Sequence, residues 1–244
     1  MRQIGIDVGS TYTKYCIMKD HSIEQLFSEK TPIRQKEYFE KKLQELRADY
    51  PDAEIISCGY GKNNVPGTKA INELTALARG AEYMVPGAEL VLDIGGQDTK
   101  IIRQENGQLK EFFINDKCAA GSGMFLTNVC AMLDSSFRGI RLIPYEEMDI
   151  RISSVCAVFA QSEIVELIAA NVNEQAIISA VVYQILTQAK PLVSKVKNGP
   201  LVLSGGLTKI PGIEEYAGRI LDRECRVIPN AEYLAATGCA GDDL

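Results

Sequence analysis

The sequence predicts a duplicated α/β fold of two lobes, and three observations predict it. Short apolar strands that end in an aspartate and a glycine-rich turn occur twice, at Gln3 to Val8 and at Glu89 to Ile94. The stretches 4–14 (IGIDVGSTYTK) and 92–100 (LDIGGQDTK) align as strand, Asp, turn, Thr, Lys, an internal repeat spaced by about one lobe. Helical patterns alternate with the strands, as packed α/β layers require. The 244 residues suffice for two lobes of about 100 residues each. The expected first lobe covers 1–86 and is completed by 231–244; the second covers 87–230.

Each element follows from local pattern. Gln3 to Val8 and Thr11 to Met18 read as strands joined by a Gly-Ser-Thr turn, and Ile23 to Ser28 as a third strand after the turn at His21. Tyr38, Phe39, Leu43 and Leu46 recur at helical spacing between charges, so 35–49 is a helix. Glu54 to Cys58 is a strand running into Gly59-Tyr60-Gly61-Lys62-Asn63-Asn64. A helix over 71–85 ends at Pro86-Gly87. Ile101 to Arg103 and Leu109 to Ile114 flank Asn106-Gly107, a hairpin signal. Helices follow at 119–133, 157–170 and 173–196, the last expected to break at Pro191. Leu201 to Leu203 is a strand before Gly205-Gly206; then come a helix at 212–221, a strand at 226–228 and a short helix at 231–240. The pair Phe112-Phe113 is expected in the core.

Composition narrows the function. Lys and Arg number 26 against 32 Asp and Glu, a net charge of −6, which argues against a nucleic-acid partner. No apolar stretch is long enough to predict a membrane span, and the N-terminus has no signal-peptide core. The expected location is the cytoplasm, where seven cysteines are thiols or soft-metal ligands in preference to disulfides.

Three glycine-rich turns follow three strands: Asp7-Val8-Gly9-Ser10-Thr11, Asp93-Ile94-Gly95-Gly96-Gln97 and Ser204-Gly205-Gly206-Leu207. Glycine lets successive N–H groups turn inward and lets phosphate oxygens approach. The hydroxyls of Ser10 and Thr11 add donors and Lys14 a positive charge. Asp7 and Asp93, at strand ends, suit a hydrated Mg²⁺ and an attacking water. The chain has neither a P-loop nor the Gly-x-Gly-x-x-Gly of a dinucleotide-binding unit. What remains resembles the actin, sugar-kinase and Hsp70 ATPase superfamily. That resemblance implies a duplicated two-lobe, actin-like (ribonuclease-H-like) fold with ATP in the cleft.

Two cysteines stand apart. Cys118 in NDKCAAGSG and Cys156 in SSVCAVF each precede a predicted helix, whose N-terminus favours the thiolate. Two cysteines cannot complete a four-thiolate iron–sulfur site, but a two-fold dimer brings four. A zinc site across the axis and a pair of buried hydrophobes are the alternatives. Cys16, Cys58, Cys130, Cys225 and Cys239 read as such hydrophobes.

IGIDVGSTYTK, GYGKNN, DIGGQDTK, NDKCAAGSG, SSVCAVFAQSEI and LSGGL occur in this order. Together they resemble the activators of 2-hydroxyacyl-CoA dehydratases, within the BadF/BadG/BcrA/BcrD ATPases that include benzoyl-CoA reductase subunits. The resemblance implies a homodimer with one shared [4Fe–4S] cluster on Cys118 and Cys156. It also implies low-potential electrons received from a donor such as ferredoxin or flavodoxin and passed to a dehydratase as ATP is hydrolysed. On this reading Gly9, Ser10, Thr11, Lys14, Gly95, Gly96 and Gln97 meet the phosphates, and Gly205-Gly206 the adenosine. Gln97 orients the water, and Gln161 or Glu163 approaches the phosphates. ATP turnover would move the cysteine-bearing helices through lobe closure. A potential shift of ~200 mV needs roughly 5 kcal/mol, close to the ~5.5 kcal/mol that inverts a two-state population. An ATPase subunit of a benzoyl-CoA-type reductase, or a small-molecule kinase, is the competing expectation.

Overall fold

A computed structural model describes residues 1–115, 122–154 and 156–241. Cys118 therefore lies outside the described residues, as does the start of the helix expected from 119.

Two five-stranded sheets organise the chain. In the first, β1 (Arg2–Val8), β2 (Tyr12–Lys19), β3 (Ser22–Lys30), β4 (Glu54–Cys58) and β5 (Lys69–Ala70) lie in the order β3-β2-β1-β4-β5. β1 runs antiparallel to β2 and parallel to β4. In the second, β6 (Leu90–Ile94), β7 (Thr99–Glu105), β8 (Gln108–Asn115), β9 (Leu201–Gly205) and β10 (Cys225–Arg226) lie in the order β10-β9-β6-β7-β8. Read from the other edge, that is the order of the first sheet, strand for strand. β6 and β9 are parallel, as β1 and β4 are. The internal repeat is thus a repeat of topology, in an actin-like ATPase fold.

The helices are α1 (Gln35–Asp49), α2 (Glu73–Met84), α3 (Gly123–Met132), α4 (Ala157–Ala169), α5 (Glu174–Val193), α6 (Ile213–Leu221) and α7 (Leu234–Ala240). α2 begins at Glu73 because the Asn72 side chain accepts from the Leu74 N–H at 2.8 Å. α5 runs through Pro191, correcting the expected break. The proline lies in the last turn, where buried Leu192 and Val193 hold the backbone helical despite the missing N–H. The short strand β5 had no period to announce it. Phe112 is 49% exposed, correcting its assignment to the core. Alternation along β8 turns it outward while Phe113 packs inward.

The chain divides into two compact units. The first comprises Met1–Glu89, Ile102–Glu111 and the chain from Glu232; the second comprises Leu90–Ile101 and Phe112–Ala231. Ile102–Glu111 belongs to the first unit through Gln104, whose amide nitrogen bonds the Ala88 carbonyl and, at 3.0 Å, Glu82. The tip of this hairpin, Asn106 (φ 50°) and Gly107 (φ 75°), is left-handed at both residues, as a two-residue hairpin turn requires. The first core joins Ile4, Ile6 and Val8 of β1 to Phe39, Leu43 and Leu46 of α1. The second wraps Leu90, Leu92 and Ile94 of β6 with α3, α5 and α6. Among the described residues α5 alone is long and apolar enough to cross a membrane, and most of it is buried in that core.

Candidate functional site

In the first unit, β1 and β4 end side by side, with Asp7 opposite Cys58. Asp7 is buried, and its Oδ2 lies 2.9 Å from the Lys14 ammonium, its cross-strand partner on β2. Gly59 follows β4 with φ +87°; a Cβ there would lie 2.7 Å from Asp7 Oδ1 and 2.6 Å from the Val8 carbonyl. Only glycine allows the loop to back the carboxylate this closely. Thr31 braces the Gly9-Ser10-Thr11 turn: its hydroxyl donates to the Gly9 carbonyl at 2.8 Å, and its N–H to the Thr11 carbonyl at 2.9 Å. Thr11 Oγ1 is buried and has no hydrogen-bond partner. A buried hydroxyl left unpaired in the turn fits an incoming phosphate oxygen.

The second unit repeats this arrangement. β6 and β9 end in register, Asp93 beside Ser204 and Ile94 beside Gly205. The Gly95-Gly96-Gln97 turn and the Gly205-Gly206 pair thus share the carboxyl edge of neighbouring parallel strands, where open α/β sheets bind ligands. Lys100, seven residues after Asp93, places its ammonium 3.3 Å from Asp93 Oδ2 and 2.9 Å from Asp98 Oδ1. Lys14 stands seven residues after Asp7, so the Asp–Lys pair recurs at one spacing in both units. Gly205 has φ +91°, and a Cβ there would overlap the Ile94 carbonyl. Gln97 is exposed at its turn. The turn also bonds α3: the Gly95 carbonyl accepts from the Gly123 N–H at 2.8 Å, and the Gly96 carbonyl from the Met124 N–H at 3.0 Å.

Cys156 opens α4 and is exposed; its carbonyl accepts the Ala160 N–H at 2.9 Å. Val158 and Phe159 beside it are 71% and 68% exposed. The other described cysteines differ. Burial pushes the Cys16 thiol up to about 12 and the Cys130 and Cys225 thiols up to about 11. The hydrogen bond with Cys239, then burial, raises Cys58 well above its ordinary value. Such thiols stay protonated at neutral pH. No group of three or more His, Cys, Asp or Glu among the described residues forms a metal site within the chain. Cys156 thus differs from the other described cysteines in being exposed, with exposed apolar neighbours.

Glu163 bonds the segment ahead of its own helix. Its carboxylate accepts the Ser153 N–H at 2.9 Å, the Ser154 N–H at 3.1 Å and the Ser153 hydroxyl at 3.1 Å. Burial raises the carboxyl, but the N–H groups of Ser153 and Ser154 outweigh it and hold it below the ordinary value. Its oxygens are bonded to the segment before Cys156, reached from the second turn of α4. Gln161 points to solvent. Sequence reasoning gave no role to Thr31, Lys100, Asp98 or Gln184. The repeated seven-residue Asp-to-Lys spacing was the one available signal among them.

Residues 4–240 match the BadF/BadG/BcrA/BcrD ATPase family. The chain belongs to this family. An uncharacterized protein of Methanocaldococcus jannaschii is 34% identical over 238 residues, covering 96% of this chain and 98% of that protein. The activator of lactoyl-CoA dehydratase of Anaerotignum propionicum is 32% identical over 253 residues, covering 98% and 96%. The structure of the activator of the 2-hydroxyisocaproyl-CoA dehydratase from Clostridium difficile, with bound ADPNP, superposes with a TM-score of 0.85 at 28% identity. It is matched over 98% of this BadF/BadG/BcrA/BcrD ATPase and 93% of the activator.

Proposed function

We propose that this ATPase is the activator of a 2-hydroxyacyl-CoA dehydratase: a cytoplasmic homodimer that hydrolyses ATP to drive low-potential electrons from a ferredoxin- or flavodoxin-type donor into its partner. One observation carries the reading. The cysteine that opens α4 is exposed beside exposed Val158 and Phe159, while the other described cysteines are buried or half-buried. A second copy around a two-fold axis would cover that apolar collar and bring the second pair of thiolates. Cys118 and Cys156 of each copy would hold the [4Fe–4S] cluster, which supplies one-electron transfer at low potential.

The nucleotide is served by the duplicated turns. Gly9, Ser10 and Thr11 in one unit, and Gly95, Gly96 and Gln97 in the other, offer N–H and side-chain donors to phosphate oxygens. Asp7 and Asp93 would serve a hydrated Mg²⁺, and Lys14 and Lys100 orient these carboxylates. Exposed Gln97 orients the attacking water, and Gly205-Gly206 takes the adenosine. Coupling has a short path in the second unit. Gly95 and Gly96 are bonded to the first residues of α3, which follow the Cys118 segment, so a change at the phosphates reaches that segment through two hydrogen bonds.

Anaerobic purification tests the reading. The expected product is a brown dimer that loses iron on Cys118→Ser or Cys156→Ser. A colourless monomer that phosphorylates sugars would overturn it in favour of a kinase.

A further inference from the structure

Residues 140–154 contain one short 3₁₀ turn, at Tyr145–Glu147, and otherwise no regular structure. They nevertheless lie fastened along one face of α5. The Arg141 N–H donates to Gln175 Oε1 at 2.7 Å, and the Ile143 N–H to the Ser179 hydroxyl at 2.9 Å. The Tyr145 ring stacks on Tyr183 with centroids 5.4 Å apart. The anchors on α5 are spaced by four residues and the anchored residues by two. Four helical residues advance about 6 Å and two extended residues about 6.6 Å, so the two registers match. Arg151 tightens the strap, donating to the carbonyls of Tyr145 at 2.6 Å and Met148 at 2.9 Å while lying 5.5 Å over the Tyr183 ring.

The strap ends in a clamp. Gln184, the next residue of α5, donates through Nε2 to the Ser154 carbonyl at 2.6 Å. Glu163 of α4 takes the N–H groups of Ser153 and Ser154. The N–H groups of Ser153 and Ser154 and the Ser154 carbonyl, just ahead of Cys156, are therefore held by two side chains, one on α4 and one on α5. Gln184 is 9% exposed, so its bond is made in the interior, where a competing water has little access.

We propose that Glu163 and Gln184 are positioning residues for Cys156: the clamp fixes the thiol's location and ties it to α5, so that α5 and the cysteine move as one body. This rests on the proposed reading of Cys156 as a cluster ligand. Neither side chain touches the cluster; each acts through Ser153 and Ser154. Groups that orient a metal ligand in this way are costly to lose, about 10- to 100-fold in metal retention.

The test uses the anaerobically reconstituted full chain. Iron content of the wild type is measured first, and an iron-free wild type would overturn the cluster reading itself before any variant is made. Glu163→Gln and Gln184→Leu are then compared with the wild type in three measurements: iron release to a ferrous chelator, the electron paramagnetic resonance spectrum of the reduced cluster, and amide exchange at Ser153 and Ser154 in the cluster-free protein. In either variant we expect release at least about tenfold faster, an altered spectrum and faster exchange. Release and spectra indistinguishable from the wild type in both variants would overturn the positioning role. Faster amide exchange with unchanged release and spectra would reduce the clamp to a fold contact, and so overturns it too. If one variant does not fold, the other decides, because each breaks the clamp from a different helix.

Discussion

Asp7 and Asp93 differ in their surroundings although they repeat in sequence. Asp7 has Lys14 on one oxygen and the Cys58 sulfur 3.8 Å from the other. Asp93 shares Lys100 with Asp98. Asp7→Asn is expected to abolish ATP turnover and leave the iron content unchanged, as read by phosphate release and iron assay on the same sample. Unchanged turnover would remove Asp7 from the mechanism. Lys100→Met leaves two acids facing each other in a buried site, and is expected to cost about 3 kcal/mol in a denaturant titration. Glu163 offers a pH test. Its carboxyl is held below the ordinary 4.5, so its clamp is complete above that value and is lost only as pH falls through the lowered one. The amide proton shifts of Ser153 and Ser154 should therefore titrate with a midpoint below 4.5. A midpoint at or above it would show that the carboxylate is not bonded as described.

At the scale of elements, the strand ends decide what the turns can do. β6 and β9 stop together because Gly205 turns to φ +91° against the Ile94 carbonyl. Gly205→Ala adds a Cβ that meets that carbonyl in a left-handed backbone. It is expected to lower stability by more than about 2 kcal/mol and to weaken nucleotide binding, measured by thermal melting with and without ADP. Helix crossings show the same economy of space: a Cβ on Gly80 of α2 would overlap the Leu234 carbonyl of α7, and one on Gly238 of α7 the Ala76 carbonyl of α2. Most elements were legible from period or turn chemistry, α1 from its helical spacing and β8 from the Asn106-Gly107 turn before it. Pro191 misled because burial of Leu192 and Val193 outweighs a local rule. Phe112 misled because two adjacent aromatics cannot both face inward from one strand.

At the scale of the molecule, nucleotide state should be felt at the proposed cluster. Mg²⁺-ATP is expected to change the rate of iron release to a chelator several-fold in the wild type, and the Asp7→Asn variant to lose that response. Equal rates with and without nucleotide in the wild type would disconnect the phosphate turns from the cysteines. The bonds from Gly95 and Gly96 to Gly123 and Met124 are the route that this experiment probes.

The sequence by itself determined the two-lobe α/β class and the repeated strand–Asp–turn–Thr–Lys unit, and it set Cys156, the exposed cysteine among those described, apart from the apolar ones. These are written in local spacing, and local spacing survives without coordinates. Only the tertiary structure decided that Lys14 and Lys100 close onto the acids seven residues before them, that Thr31 braces the first turn, and that Glu163 with Gln184 grips the entry to α4. Those partners stand from seven to 30 residues apart, on different strands, turns and helices. Their pairing depends on which faces the two cores bury, and a one-dimensional pattern carries no record of that.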